Sequence, residues 1–268
     1  MKHLLAIALL ALSNLALAQD FPESTPPKIK KERNHYFYLT WGYNAESYTL
    51  SDVHVSQPEI GYEYTLHNVR GHDFKGWDKG IFNQELTIPQ YSYRIGWMFD
   101  KKRGMGVEIN FDHTKYIISE DQTVRVTGQL GNGRSVDTAV YFDRSNGFRY
   151  YLNNGANFFL INFVKQLPVW ESRRGNLRLD VLGKAGIGPV VPHVENTLFG
   201  KANDPHFQIG GWNVGLEVDA QVTAFNRVFL EGGIKGDYAR YSGLRIYKGT
   251  ARQAFGSFIM FFGLGVRI

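Results

Sequence analysis

The chain has 268 residues, of which 43% are hydrophobic, 15% aromatic and 21% charged, with a formal net charge of +5. That composition excludes a disordered or collagen-like polymer. The absence of cysteine excludes disulfide frameworks, thiolate zinc sites and cysteine nucleophiles.

Read from its start, the chain opens with a short basic head, Met1-Lys2-His3, followed by the apolar run from Leu4 to Leu12 and the small-x-small sequence Ala16-Leu17-Ala18. This is the pattern of a secretory signal peptide over residues 1–18. Residues 19–34 combine Pro22, Pro26 and Pro27 with Lys28, Lys30, Lys31, Glu32 and Arg33. Such a segment buries too little apolar surface to fold, and it is expected to be a flexible periplasmic leader. Its basic residues come without a basic helix or a stacking platform, so nucleic acid is not expected as a partner.

From residue 35 onward the pattern changes to period two, which places successive side chains on opposite faces of a sheet. Phe37, Leu39, Trp41 and Tyr43 oppose Tyr38, Thr40, Gly42 and Asn44. Tyr91, Tyr93, Ile95, Trp97 and Phe99 oppose Gln90, Ser92, Arg94, Gly96 and Met98. After the charged turn from Asp100 to Gly104, Val107, Ile109 and Phe111 alternate with Glu108, Asn110 and Asp112. The spacing predicts eight strands at about 36–46, 87–99, 104–118, 157–169, 177–189, 208–224, 228–240 and 254–268. Links at 100–103, 170–176 and 225–227 are short, whereas 47–86, 119–156, 190–207 and 241–253 are long. All tight turns therefore fall at one end. Further strand-like stretches at 58–68 and 123–127 belong to hairpins above the rim, since either would break the up-and-down parity.

The charges keep to one face. Arg94, Glu108, Arg178, Asp180, Lys184, Glu217, Asp219, Glu231, Lys235, Asp237 and Arg267 carry both signs and are expected to form a mutually paired polar network in a narrow lumen. Glycines on that face, Gly42, Gly96, Gly215 and Gly265 among them, leave room for larger neighbours. The opposite face is apolar, and Trp41, Tyr43, Tyr91, Trp97, Phe99, Trp212 and Tyr238 lie on it near strand ends, where an interfacial aromatic girdle is expected. These features specify an all-β, eight-stranded antiparallel up-and-down transmembrane β-barrel with long extracellular hairpins over residues 35–268. A soluble lipocalin-like carrier shares the alternation but turns the apolar face inward; strands longer than the about nine to eleven residues that cross a bilayer favour the membrane barrel.

Over about residues 35–268 the chain resembles the small eight-stranded outer-membrane barrels of Gram-negative bacteria, of the OmpA and OmpX kind. The segments Trp41-Gly42-Tyr43-Asn44, Thr87-Ile88-Pro89-Gln90-Tyr91 and Gly211-Trp212-Asn213-Val214-Gly215 look similar to those of uncharacterised barrels of that class. The resemblance implies an outer-membrane location after export, with outer-membrane lipid, the barrel assembly machinery and an extracellular ligand at the long loops as partners. It names no reaction. The last strand ends in Ile268 where such barrels usually end in an aromatic residue.

Lipid A deacylases of this shape carry an outward His, Ser and Glu. His113 has the outward parity, but Lys115 stands where a serine would be needed and Thr114 faces inward. His54, His67, His72, His113, His193 and His206 fall toward the long-loop end without metal-ligand spacing. The run Gly183-Lys184-Ala185-Gly186-Ile187-Gly188 lies within a strand, so the helix amino terminus of a phosphate loop is missing. No catalytic residue, cofactor site or metal site is assigned. A structural or surface-binding role is expected, carried by the hairpins 47–86 and 119–156.

Overall fold

The computed structural model describes residues 33–76, 80, 89–131, 133–142, 149–152, 155–198 and 200–268. The expected signal peptide, nearly all of the leader, and Thr87 and Ile88 lie outside them. Eight strands form a ring: β1 (Tyr36–Tyr48), β2 (Tyr91–Asp100), β3 (Met105–Asp112), β4 (Phe158–Glu171), β5 (Leu177–Pro189), β6 (Gly211–Ala224), β7 (Val228–Ile246) and β8 (Gly249–Arg267). Each is antiparallel to its neighbour in sequence, and β8 returns to β1 from Arg267 against Tyr38 to Ser257 against Tyr48, which closes the sheet.

Register fixes the barrel's shape. Following paired residues from Tyr38 through Gly96, Glu108, Asn162, Gly186, Gly215, Asp237 and Ser257 returns to Tyr48, ten residues further along β1. Eight strands with that stagger tilt by about 40° from the barrel axis and enclose a space that side chains can fill.

The apolar face points outward. Ile95 is 54% exposed, Leu216 68%, Val218 56% and Leu230 63%, whereas Arg94, Glu217, Glu231 and Lys235 are buried. A lipocalin-like carrier would show the reverse, so that alternative is excluded. In hydrocarbon no water is present to pair with a free sheet edge, and a closed ring leaves none. No described helix is long and apolar enough to cross a membrane.

Above the ring the long connections build a compact head. Strands Ser51–Gln57, Tyr62–Val69, Gln122–Leu130 and Arg134–Phe142 extend the barrel sheet from the upper part of β8. A second sheet contains Gly71–His72, Tyr116–Ile118, Arg149–Leu152, His193–Leu198 and Lys201–Ala202, with His206–Phe207 paired at its side. One apolar core joins both sheets, including Val53, Leu66, Val126, Leu152, Val194 and Leu244.

Two expectations are corrected here. Residues 241–253 are not a long loop: β7 and β8 run on into the head and meet at the turn Tyr247-Lys248. The register shifts between Tyr241 and Leu244, with Gly243 at φ +63°, so the period-two pattern breaks while the strand continues. The strand expected over 104–118 is likewise two, since β3 ends at Asp112 and Tyr116–Ile118 joins the second sheet of the head.

Placing a guanidinium on the hydrocarbon face tests the outward orientation. Val218→Arg should cost about 2–4 kcal/mol near the bilayer midplane, read as a lower urea midpoint for the barrel folded in phosphatidylcholine vesicles. An unchanged midpoint would mean that Val218 faces water.

Candidate functional site

The lumen is the most highly organised polar region of the molecule. Its network starts from inward residues of β2, β3, β5, β6 and β7. The Arg94 guanidinium lies 2.5 Å from Glu217, 2.7 Å from Glu231 and 3.4 Å from Asp219, with its Cζ 3.5 Å over the Phe261 ring. Lys184 Nζ sits 2.9 Å from Glu108, Asp219 and Glu231 alike. Lys235 Nζ pairs with Asp112, donates to Asn110 Oδ1 at 2.7 Å and lies 3.6 Å from Glu217. Glu108 also accepts from Tyr38 Oη at 2.7 Å and Asn162 Nδ2 at 3.1 Å. A carboxylate carried into this space without such partners would lose hydration with nothing in return.

Nearer the short turns, Asp180 accepts from Arg178 Nε at 2.7 Å and Gln166 Nε2 at 2.7 Å, and Arg267 lies 3.3 Å away. Toward the head, Asp237 accepts from Asn213 Nδ2 at 3.2 Å. All eleven residues proposed for the network from sequence therefore project into the lumen. The partners that sequence reasoning did not assign include Tyr38, Asn110, Asp112, Asn162, Gln166, Asn213 and Gln221, which share the inward parity. Parity alone could have found them.

Glycine makes this packing sterically feasible. A Cβ on Gly96 would strike the Tyr38 ring that reaches Glu108, and one on Gly265 would strike Phe229. Tyr38, Met98, Val164, Leu182 and Phe229 form an apolar cluster inside the barrel, separate from the core of the head. At the opposite mouth, Phe255 stacks with Tyr116 at 4.7 Å and with Tyr241 at 5.3 Å, while Tyr48 meets Phe255 edge-on at 5.2 Å. The hydroxyls of Tyr48 and Tyr241 donate to the backbone oxygens of Lys115 and Ala156. The described side chains thus close the lumen with an aromatic plug continuous with the head core.

The outward aromatics fall into two groups. Trp97 stacks on Phe37 and meets Phe99 near the short turns; Trp212 and Tyr238 meet near the head, where Tyr91 packs on Tyr93. Trp41 is half-buried against Tyr43. Tyr43 departs from an exposed girdle position: only 4% of it is accessible, and its ring packs on Trp41 and Phe262.

Oxygen atoms of Glu217, Asp219 and Glu231 converge within 4.8 Å, as metal ligands do. The protein's own Arg94 and Lys184 stand against those oxygens, so charge there is balanced internally. The exterior histidines do not converge: His54 pairs with Glu63, His67 with Asp52, His72 with Ser119 and His206 with the Asp204 carbonyl. His193 packs on Phe207. His113 is hydrogen-bonded to Asn157 at 2.9 Å and stacked on Tyr91 at 4.7 Å, and burial pushes its imidazole below the ordinary value. The Asn157 amide is not a nucleophile, and Tyr91 meets the imidazole through its ring and not its hydroxyl. Thr114 beside it is fully buried.

No family model matches the chain. No curated protein matches it either. The solved structures to which it is similar are small outer-membrane barrel proteins. Neisserial surface protein A shares 10% identity over 88% of this chain and 97% of that one, with a TM-score of 0.30. Ail, the attachment invasion locus protein of Yersinia pestis, shares 12% over 88% and 99%, with a TM-score of 0.31. OprG from Pseudomonas aeruginosa shares 10% over 88% and 96%, with a TM-score of 0.34.

Two substitutions and one control separate the roles of the network and the plug. Lys184→Met removes the ammonium shared by Glu108, Asp219 and Glu231, leaving Arg94 as the cation against the latter two, and should lower stability by about 3–5 kcal/mol in a urea titration, whereas Arg125→Ala, at an exposed pair with Asp137, should leave the midpoint unchanged. Phe255→Ala should open the plug at a cost of about 3–5 kcal/mol, seen as faster proteolysis of the head hairpins while the barrel keeps its folded gel mobility.

Proposed function

We propose that the chain is an integral outer-membrane β-barrel protein with a structural or surface-binding role, exported by its amino-terminal segment and inserted by the barrel assembly machinery. The observation that carries this reading is the closed ring with apolar residues outside and the Arg94, Lys184 and Lys235 ion pairs inside, plugged toward the head by Phe255 and Tyr116. A lumen filled in this way holds the head at a fixed height over the membrane and offers no aqueous path. Recognition then falls to the head, whose hairpins present polar side chains on a rigid apolar core.

Deleting residues 119–156 would not isolate such recognition, because Val124, Val126, Phe142, Tyr150 and Leu152 belong to that core. The test is of environment and conduction. The chain should remain in the membrane pellet after carbonate or urea extraction and should migrate faster in gels before heating than after. In planar bilayers the folded protein should give no discrete conductance steps. Extraction into the soluble fraction, or stable open channels, would overturn the reading.

A further inference from the structure

Where β7 and β8 leave the apolar belt, their outward residues change from Tyr238 and Phe258 to Arg240 and Arg252. Arg240 pairs in register with Trp212 on β6 and Ala254 on β8, and Arg252 pairs with His54 on the strand Ser51–Gln57. Both arginines line an open hollow of about 370 Å³ together with Tyr238, Asp52, His54 and Thr65.

The acids nearby are already engaged. Asp52 accepts from the Asn68 backbone N–H at 2.8 Å and lies 3.2 Å from His67. Glu63 lies 2.8 Å from His54, and hydrogen bonds from Ser56 and His54 hold its carboxyl below the usual range. Among the described residues, neither Arg240 nor Arg252 has a direct ion pair or hydrogen bond through its guanidinium, and Arg252 acts on Glu63 only at longer range, helping to hold that carboxyl low. A guanidinium presents a planar fork of donors that matches phosphate oxygens, and two of them on one wall suit a doubly charged phosphate. Directly below, Tyr238 and Phe258 are exposed on the hydrocarbon face, as an acyl chain attached to that phosphate requires.

We propose that this hollow binds the phosphate monoester headgroup of a lipid in the leaflet on the head side of the barrel. The inference rests on the membrane reading above. Its recognition elements are Arg240 and Arg252, with Tyr238 beneath the headgroup.

Native mass spectrometry of the full chain folded in detergent tests this with three probes: dioctanoyl phosphatidic acid, dioctanoyl phosphatidylcholine and inorganic phosphate. Phosphatidic acid should bind about tenfold more tightly than either of the others, and the R240Q/R252Q variant should lose about that factor. R173Q/R174Q, which removes two exposed arginines from a short turn at the other end, should retain the preference. A preference unaltered by R240Q/R252Q would overturn the site, and equal affinity for inorganic phosphate would overturn the lipid assignment. Gel mobility before and after heating is recorded for every sample. Folded barrels without the preference refute the site alone, whereas failure of the unaltered chain to fold into detergent refutes the membrane reading beneath it.

Discussion

Hydrocarbon offers a backbone amide no hydrogen-bonding partner, and most of the architecture follows from that constraint. An open sheet would leave two unpaired edges in lipid, so β8 must find β1 and the ring must close. Closure divides the side chains into an outer set that meets lipid and an inner set that meets only itself. With eight strands and a stagger of ten residues the inner space is narrow, and the charges at its centre lie within reach of several others. Arg94 and Lys184 are therefore shared among several carboxylates instead of belonging to single ion pairs.

The same chain obeys the opposite rule above the membrane. Along β7 the outward residues Leu230, Ile234 and Tyr238 give way to Arg240 and Arg245, while the inward series passes from Glu231, Lys235 and Asp237 to Tyr241, Leu244 and Ile246. Polarity inverts on a continuous strand because its surroundings invert: beyond the belt, water is outside and apolar side chains must bury inside. The head core is the result, and Phe255 and Ile259 carry it into the barrel mouth. The bulge at Ser242 and Gly243 lies at this changeover.

The barrel was legible in the sequence because lipid outside and paired charge inside both write period two in a strong alphabet. Ile95, Leu216 and Leu230 against Arg94, Glu217 and Glu231 leave little ambiguity. Arg267 at the end of the last strand, expected in the lumen, lies there 3.3 Å from Asp180. The head was less legible. Its strands pair over long sequence separations, as Thr250 with Ser56 and His67 with Arg125, and a local pattern carries no information about such partners. The break at Gly243 hid the continuation of β7, and the low exposure of Tyr43, which shares parity with Trp41, was not legible because parity reports direction and not what covers a side chain.

A lumen lined with well-packed apolar residues would serve hydrogen-bond closure equally well, and replacing buried ion pairs by such packing often raises stability. What charges add is register. If both faces of β5 were apolar, a slip by one residue against β4 or β6 would exchange two similar surfaces at little cost. With Lys184 on the strand, the slip carries its ammonium into hydrocarbon, a penalty of about 2–4 kcal/mol near the midplane, and takes from Glu108, Asp219 and Glu231 the ammonium they share. Gly183 and Ala185, which flank it and would turn inward, bring nothing to replace the lost pairs. Each inward charge thus makes one stagger of the ring far better than its neighbours, and the stagger sets the diameter into which Tyr38, Phe229 and Phe261 must fit.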